Sequence, residues 1–236
     1  MINRRIEISG IPACVWGMAS ERVIVAIHGN MSSKMDVPIA HLAEHAARVG
    51  WQVLSFDLPQ HGERKGQDTP CTMPQCAEDA ERVLEFAKAN WKKAGVFGVS
   101  MGAYVALATI ARSPVSFAWL LSPTVEMGKL IDGMMERDGI APNELREKGR
   151  IQAQSGQIYW WDDYKFAALH AAKTECPAAI LCGAKDEMTS LADMRAFAEK
   201  NGCELTVSEP SGHWFHTNAD LAALDAWLKE KTNRIM

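Results

Sequence analysis

The sequence predicts a single α/β domain built on a mostly parallel, doubly wound sheet, with helices on both faces and a small helical insertion, and three observations carry that reading. Strand-like apolar runs alternate with helix-length segments from Arg22 to Leu121, and the pattern resumes at Ala178. That order produces parallel strands joined by crossovers. The run Val23-Ile24-Val25-Ala26-Ile27 is continuous in apolar, mostly β-branched residues, the composition of a strand covered on both faces. Between Pro123 and Cys176 the alternation stops, so residues 124–175 read as an inserted cap on one domain spanning 1–236. With 236 residues, 47% hydrophobic and 23% charged, the chain has globular proportions and can bury a sizeable core.

The elements follow in order. Ile2 to Ser9 and Ala13 to Met18 read as short strands joined by the turn Gly10-Ile11-Pro12, an opening hairpin. Arg22 to His28 is the central strand. After a polar loop, Val37 to Val49 reads as a helix ending at Gly50, Trp51 to Phe56 as a strand, and Pro74 to Trp91 as a helix. Strand Gly95 to Val99, helix Met101 to Arg112 and strand Val115 to Leu121 come next. The inserted stretch reads as short helices carrying Met127, Met134, Met135, Tyr159, Trp160, Trp161 and Tyr164. Strand Ala178 to Cys182, helix Ser190 to Lys200, strand Cys203 to Val207 and an amphipathic helix Thr217 to Lys231 close the chain. Internal repeats and low-complexity tracts are absent.

Charge and cysteine usage narrow the function classes. The 25 basic and 29 acidic residues are interspersed, with a formal net charge of −4, so no long-range field recruits a polyanion and nucleic acid is not expected as a partner. The six cysteines (Cys14, Cys71, Cys76, Cys176, Cys182, Cys203) are scattered and read as reduced thiols. Cys71 and Cys76 have no second pair downstream, which argues against zinc. No metal or other cofactor is expected. The start Met1-Ile2-Asn3-Arg4-Arg5 lacks an apolar signal core, and no apolar run reaches the roughly 18 residues of a membrane span. The expectation is a soluble, cytoplasmic protein without a membrane partner.

The run Val96-Phe97-Gly98-Val99-Ser100-Met101-Gly102-Ala103 sets a serine between two glycines where a strand turns at once into a helix. This is the setting of a nucleophile elbow, a cramped turn that exposes the hydroxyl of Ser100. A serine hydroxyl is a poor nucleophile near neutral pH, so Ser100 needs a base and the base needs an orienting group. In an open parallel sheet both should lie in loops just past strand ends. His213, in Pro210-Ser211-Gly212-His213-Trp214-Phe215, is the candidate base, with His216 its rival in the same loop. Asp186, in Gly183-Ala184-Lys185-Asp186-Glu187-Met188, is the candidate carboxylate, with Glu187 and Glu126 as alternatives. The order serine, acid, histidine fits an elbow-type triad. One oxyanion N–H should come from Met101, the residue after the nucleophile. A second should come from Asn30 or Met31 in the loop His28-Gly29-Asn30-Met31, with His28 supporting the loop.

These segments resemble the α/β-hydrolase superfamily along nearly the whole chain: His28-Gly29, the stretch Asp57-Leu58-Pro59-Gln60-His61-Gly62-Glu63-Arg64, Gly98-Val99-Ser100-Met101-Gly102, Gly183-Ala184-Lys185-Asp186 and Gly212-His213, in that order. The resemblance implies a serine hydrolase with triad Ser100, Asp186 and His213, and assigns Asp57 and His61 a structural role. It implies no cofactor. The oxyanion loop reads His-Gly-Asn rather than the glycine run of lipases, which weakens a bulky-alcohol reading. A serine nucleophile argues against the dehalogenase and epoxide-hydrolase branches, which need a carboxylate. The expected activity is a carboxylesterase acting on a small-molecule ester with a small or medium acyl group. A thioesterase, acylglycerol lipase or small-peptide hydrolase shares the triad, and a non-catalytic ligand-binding protein shares the fold. Tyr159, Trp160 and Trp161 in the insertion, with Met188 and Trp214 beside the candidate triad, form the expected substrate pocket, and Met31 and Met101 are adaptable apolar neighbours.

Overall fold

The computed structural model describes residues 3–236. Its first two strands, β1 (Asn3–Ile8) and β2 (Ile11–Trp16), form an antiparallel hairpin. The turn is Ser9-Gly10, both at positive φ (50° and 80°), rather than Gly10-Ile11-Pro12. A two-residue turn of that hand matches the twist of the strands, so pairing resumes at Ile11 and β2 begins two residues earlier than expected. Ile2, at the expected start of the first strand, lies outside the described residues.

The parallel core follows. Strand β3 (Arg22–Ile27) lies between β4 (Gln52–Phe56) and β5 (Lys93–Val99), parallel to both, and its residues Val23 to Ile27 are buried. Helix α1 (Val37–Arg48) links β3 to β4; Asp36 caps it and Pro38 fits its first turn, where no amide partner is lost. Helix α2 (Met73–Asn90) links β4 to β5, capped by Thr72, whose side chain accepts from Gln75 N. Helix α3 (Met101–Ile110) is buried from Gly102 to Ile110, as a helix apolar on all sides must be. It leads to β6 (Ala118–Leu121).

The segment between β6 and the next sheet strand contains α4 (Met127–Arg137), α5 (Pro142–Lys148), a hairpin of β7 (Arg150–Gln152) and β8 (Ile158–Trp160), and α6 (Trp161–Leu169). The insertion is therefore not helical throughout. Ile158, Tyr159 and Trp160 favour extended backbone, and the turn through Ser155 and Gly156 (φ 87°) folds them back on Arg150 to Gln152. Tyr159 packs with Met135 and Leu145 in a small core of its own.

Strand β9 (Ala178–Gly183), α7 (Leu191–Asn201), β10 (Glu204–Ser208) and α8 (Asn218–Arg234) complete the chain. The eight-stranded sheet runs β1-β2-β4-β3-β5-β6-β9-β10, antiparallel at β1/β2 and β2/β4 and parallel from β4 onward. Helices α2, α3 and α7 cover one face, with Val83, Leu107 and Phe197 in its core; α1 and α8 cover the other with Leu42 and Trp227. No helix among the described residues is long and apolar enough to cross a membrane. The loops leaving the carboxyl ends of β3, β5, β9 and β10 gather along one edge, where ligands of open α/β sheets bind.

Candidate active site

Ser100 sits between β5 and α3 at φ 52°, ψ −117°, a backbone region that L-residues rarely enter. Its N–H donates to Leu121 O at 2.9 Å, fixing the turn to the neighbouring strand. Gly102 is required by close approach: a Cβ there would lie 2.3 Å from His28 O. The tight turn thus brings the helix start against the His28 loop and leaves the Ser100 hydroxyl projecting.

The three candidate residues from different loops meet there. Ser100 Oγ lies 2.7 Å from His213 Nε2, and His213 Nδ1 lies 2.9 and 3.0 Å from the two Asp186 oxygens. Asp186 Oδ1 also accepts the N–H groups of Met188 and Thr189 at 2.8 and 2.9 Å. Both the His213 and Asp186 side chains are only 1% exposed, so their attraction is little screened by water. With the carboxylate as acceptor, Nδ1 carries the proton and Nε2 is left to accept from the serine hydroxyl. The loops of β9 and β10 meet because Gly183 has no side chain: a Cβ would lie 2.3 Å from Ser211 O.

The rival groups are placed elsewhere. Glu187 accepts from the backbone N–H of His213 at 3.4 Å, and Glu126 is exposed beside Lys129. His216 is exposed and stacks on Trp214.

Met101 N opens α3, where the first amides of a helix have no intrahelical acceptor. Across from it, Met31 N–H donates to His61 Nε2 at 3.1 Å and to Asn30 Oδ1 at 3.0 Å, whereas Asn30 N–H has no acceptor among the described residues. His28 is fully buried; burial pushes its imidazole down to about 4. Neutral, it donates from Nδ1 to Gly29 O (2.7 Å) and accepts at Nε2 from Leu58 N (3.1 Å). Asp57 is also buried, accepting from Lys34 N (2.8 Å), Glu63 N (3.0 Å) and the Lys34 ammonium. These contacts tie Asp57 into the loop scaffold.

Ser100 lies at the junction of two cavities. The first, about 340 Å³, is lined by Ser100, His213, Tyr159, Trp160, Met188 and Trp214, together with Met73 and one face of α4. The second, about 350 Å³, extends past Ser32, Asp36, Phe215 and His216. Of the expected pocket residues, Trp161 is the exception. It opens α6 and stacks on Tyr164 one turn later, with centroids 5.2 Å apart and planes inclined by 15°, so its ring belongs to the insertion's own packing.

Several lining residues were not assigned to the pocket from sequence. Met127, Leu130, Ile131 and Met134 on α4 face the first cavity, and their spacing of three, four and seven was a readable amphipathic signal. Asp163, also lining it, had none. Its Oδ1 accepts from Met73 N at 2.5 Å, and burial pushes its carboxyl up to about 7. Among the described residues no group of three or more His, Cys, Asp or Glu side chains is arranged to hold a metal ion.

Solved structures share this fold. Est1E from Butyrivibrio proteoclasticus, determined with ferulic acid bound, is 19% identical over 98% of each chain (TM-score 0.77). The alpha/beta hydrolase domain-containing protein 10 from mouse is 18% identical over 100% of each chain (TM-score 0.76). An esterase from Exiguobacterium antarcticum is 17% identical over 97% of this chain and 98% of its own (TM-score 0.66). Among curated proteins, none matches significantly. The chain belongs to the alpha/beta hydrolase family, whose model matches residues 24–226.

Proposed function

We propose that this protein is a serine hydrolase, a carboxylesterase that cleaves small or medium acyl esters through an acyl-enzyme. The observation that carries the reading is the continuous hydrogen-bonded chain from Ser100 Oγ through His213 to Asp186. Ser100 Oγ attacks the ester carbonyl while His213 Nε2 takes its proton, and the Asp186 carboxylate stabilises the imidazolium that results. The N–H groups of Met101 and Asn30 bind the oxyanion; Met31 N–H, already donating to His61 and to the Asn30 side chain, anchors that loop. His213 then protonates the departing alkoxide. Water repeats the sequence on the acyl-enzyme and frees Ser100.

The two cavities give room for the two halves of an ester on either side of the serine. The methionine-rich one, closed by residues of the 124–175 segment acting as a cap, suits the acyl group, because flexible thioethers fill space around varied apolar chains. That a protein of the same fold binds ferulic acid makes aryl acids worth including as substrates. The test is a panel of p-nitrophenyl and aryl esters of increasing acyl length with native protein and Ser100→Ala. Turnover of short and medium members by the native protein alone is expected. Equal turnover by Ser100→Ala contradicts the proposal.

A further inference from the structure

Away from the Ser100 hydroxyl, the chain holds a second nucleophile with a partner in reach. Cys71 Sγ lies 3.6 Å from Cys76 Sγ and 3.8 Å from His61 Nδ1. The local sequence explains the meeting. Thr72 caps α2, so Cys71 precedes the cap and Cys76 occupies the fourth helical position, the pair of sites that face each other across a first turn and usually hold an apolar staple. Here the staple is two thiols. Cys71 is half-buried and Cys76 fully buried.

The surroundings separate these thiols from the other four. Hydrogen bonds from Cys76 and then His61 outweigh burial and draw the Cys71 thiol down to about 5. Burial pushes Cys14, Cys176, Cys182 and Cys203 upward. A half-buried thiol whose ionisation is favoured by its hydrogen-bond partners is the kind that reacts with peroxides. The imidazole at Cys71 is also the one that holds the candidate oxyanion loop. His61 Nδ1 faces Pro59 O at 2.8 Å and Cys71, while Nε2 accepts from Met31 N at 3.1 Å and lies 3.2 Å from Asn30 Oδ1.

We propose that Cys71 and Cys76 form a hydroperoxide-oxidised dithiol site whose state is passed through His61 to the loop bearing Asn30 and Met31. The Cys71 thiolate attacks an oxygen of the hydroperoxide; the S–O bond forms, the O–O bond breaks, and the departing alkoxide or hydroxide takes up a proton. Cys71 is then a sulfenic acid, oxidised by two electrons, and the peroxide has become an alcohol or water. Cys76 attacks the oxidised sulfur. The S–S bond forms and the S–O bond breaks, and the leaving hydroxide takes the Cys76 proton and departs as water. Closing the sulfurs from 3.6 Å to the roughly 2.05 Å of a disulfide draws Cys71 away from His61, because Cys76 is fixed in the helix. His61 loses its sulfur contact, and the loop it holds shifts with it.

The test treats the full chain with hydrogen peroxide at a few equivalents, follows each cysteine by alkylation and peptide mass, and follows the His61 ring by NMR. The expected result is a loss of two hydrogens confined to the segment holding Cys71 and Cys76, with a shift of the His61 resonances that dithiothreitol reverses. Cys76→Ser should stop at a dimedone-trapped Cys71, and Cys71→Ser should give neither product. Oxidation of Cys71 no faster than that of Cys203 overturns the site, and disulfide formation with unmoved His61 resonances overturns the coupling. Both readouts stand without ester turnover, so failure of the esterase reading shows separately. Where turnover is present, a several-fold, dithiothreitol-reversible fall in kcat is expected.

Discussion

The strand-end loops and the inserted segment meet at one cavity but are built by opposite means. At the strand ends the candidate groups are held by specific hydrogen bonds: Ser100 by its strained turn and the bond to Leu121, Asp186 by two amides, His213 by Asp186, His28 by Gly29 and Leu58. In the insertion the lining comes from one apolar face of α4 and from a short hairpin, and its specific polar contacts, such as Tyr159 to Asp138 at 2.7 Å, are few. The first region keeps atoms within a hydrogen-bond length; the second sets only volume and polarity. A change at the strand ends should therefore remove chemistry, whereas a change in the insertion should redirect it.

After Ser100→Ala, the largest expected break is at Asp186. Asp186→Asn keeps the shape but favours the wrong histidine tautomer, and kcat should fall by about 10³–10⁴-fold with KM little changed. Loss of substrate affinity without loss of kcat would show that Asp186 only shapes the pocket. On the insertion side, Met134→Ala lengthens the first cavity. It should shift kcat/KM toward longer acyl chains by roughly 10-fold or more per methylene accommodated, with reactivity at Ser100 unchanged. An equal loss on every ester would place Met134 with the scaffold instead.

Asp163 sharpens the contrast through pH. Burial raises its carboxyl from the ordinary range to about 7, so the folded protein holds this proton more tightly than the unfolded chain does. The resulting stabilisation is complete below about pH 4 and is lost as pH rises through about 7. Asp163→Asn keeps the acceptor for Met73 N and has no charge to bury. It should stabilise the protein at pH 8, on the order of 1–3 kcal/mol, and change little at pH 4. Urea unfolding at the two pH values reads the difference; an equal effect at both would refute the burial explanation. The smallest effect is expected at Trp161: Trp161→Leu should cost about 1 kcal/mol through its lost stack on Tyr164 and leave the acyl-length profile of the ester panel unchanged.

The same contrast decides what was legible in the chain. Ser100, Asp186 and His213 stand directly after strand runs, with glycines where backbones touch, and such constraints leave a mark in sequence. The sheet was readable for a similar reason, since β3 and β6 carry continuous apolar runs and β4 and β5 are largely apolar. The hairpin of β7 and β8 was not, because strands of three residues give no period to count. Trp161 and Trp160 are adjacent and chemically alike, yet a change from strand to helix between them sends one ring to the cavity and the other to Tyr164. Asp163 was invisible because its hydrogen-bond partner, Met73 N, is ninety positions away. Sequence left Asn30 and Met31 both open, with Asn30 preferred; His61, from a separate loop, accepts from the Met31 amide.

Labelling with a fluorophosphonate probe, followed by peptide mass analysis, addresses the role of Ser100 without presupposing a substrate. A single adduct on Ser100, formed by the native protein, lost in Ser100→Ala and strongly slowed in Asp186→Asn, is expected. A folded native protein that takes up no probe, or takes it up equally well without Ser100, would contradict a serine nucleophile activated by His213 and Asp186.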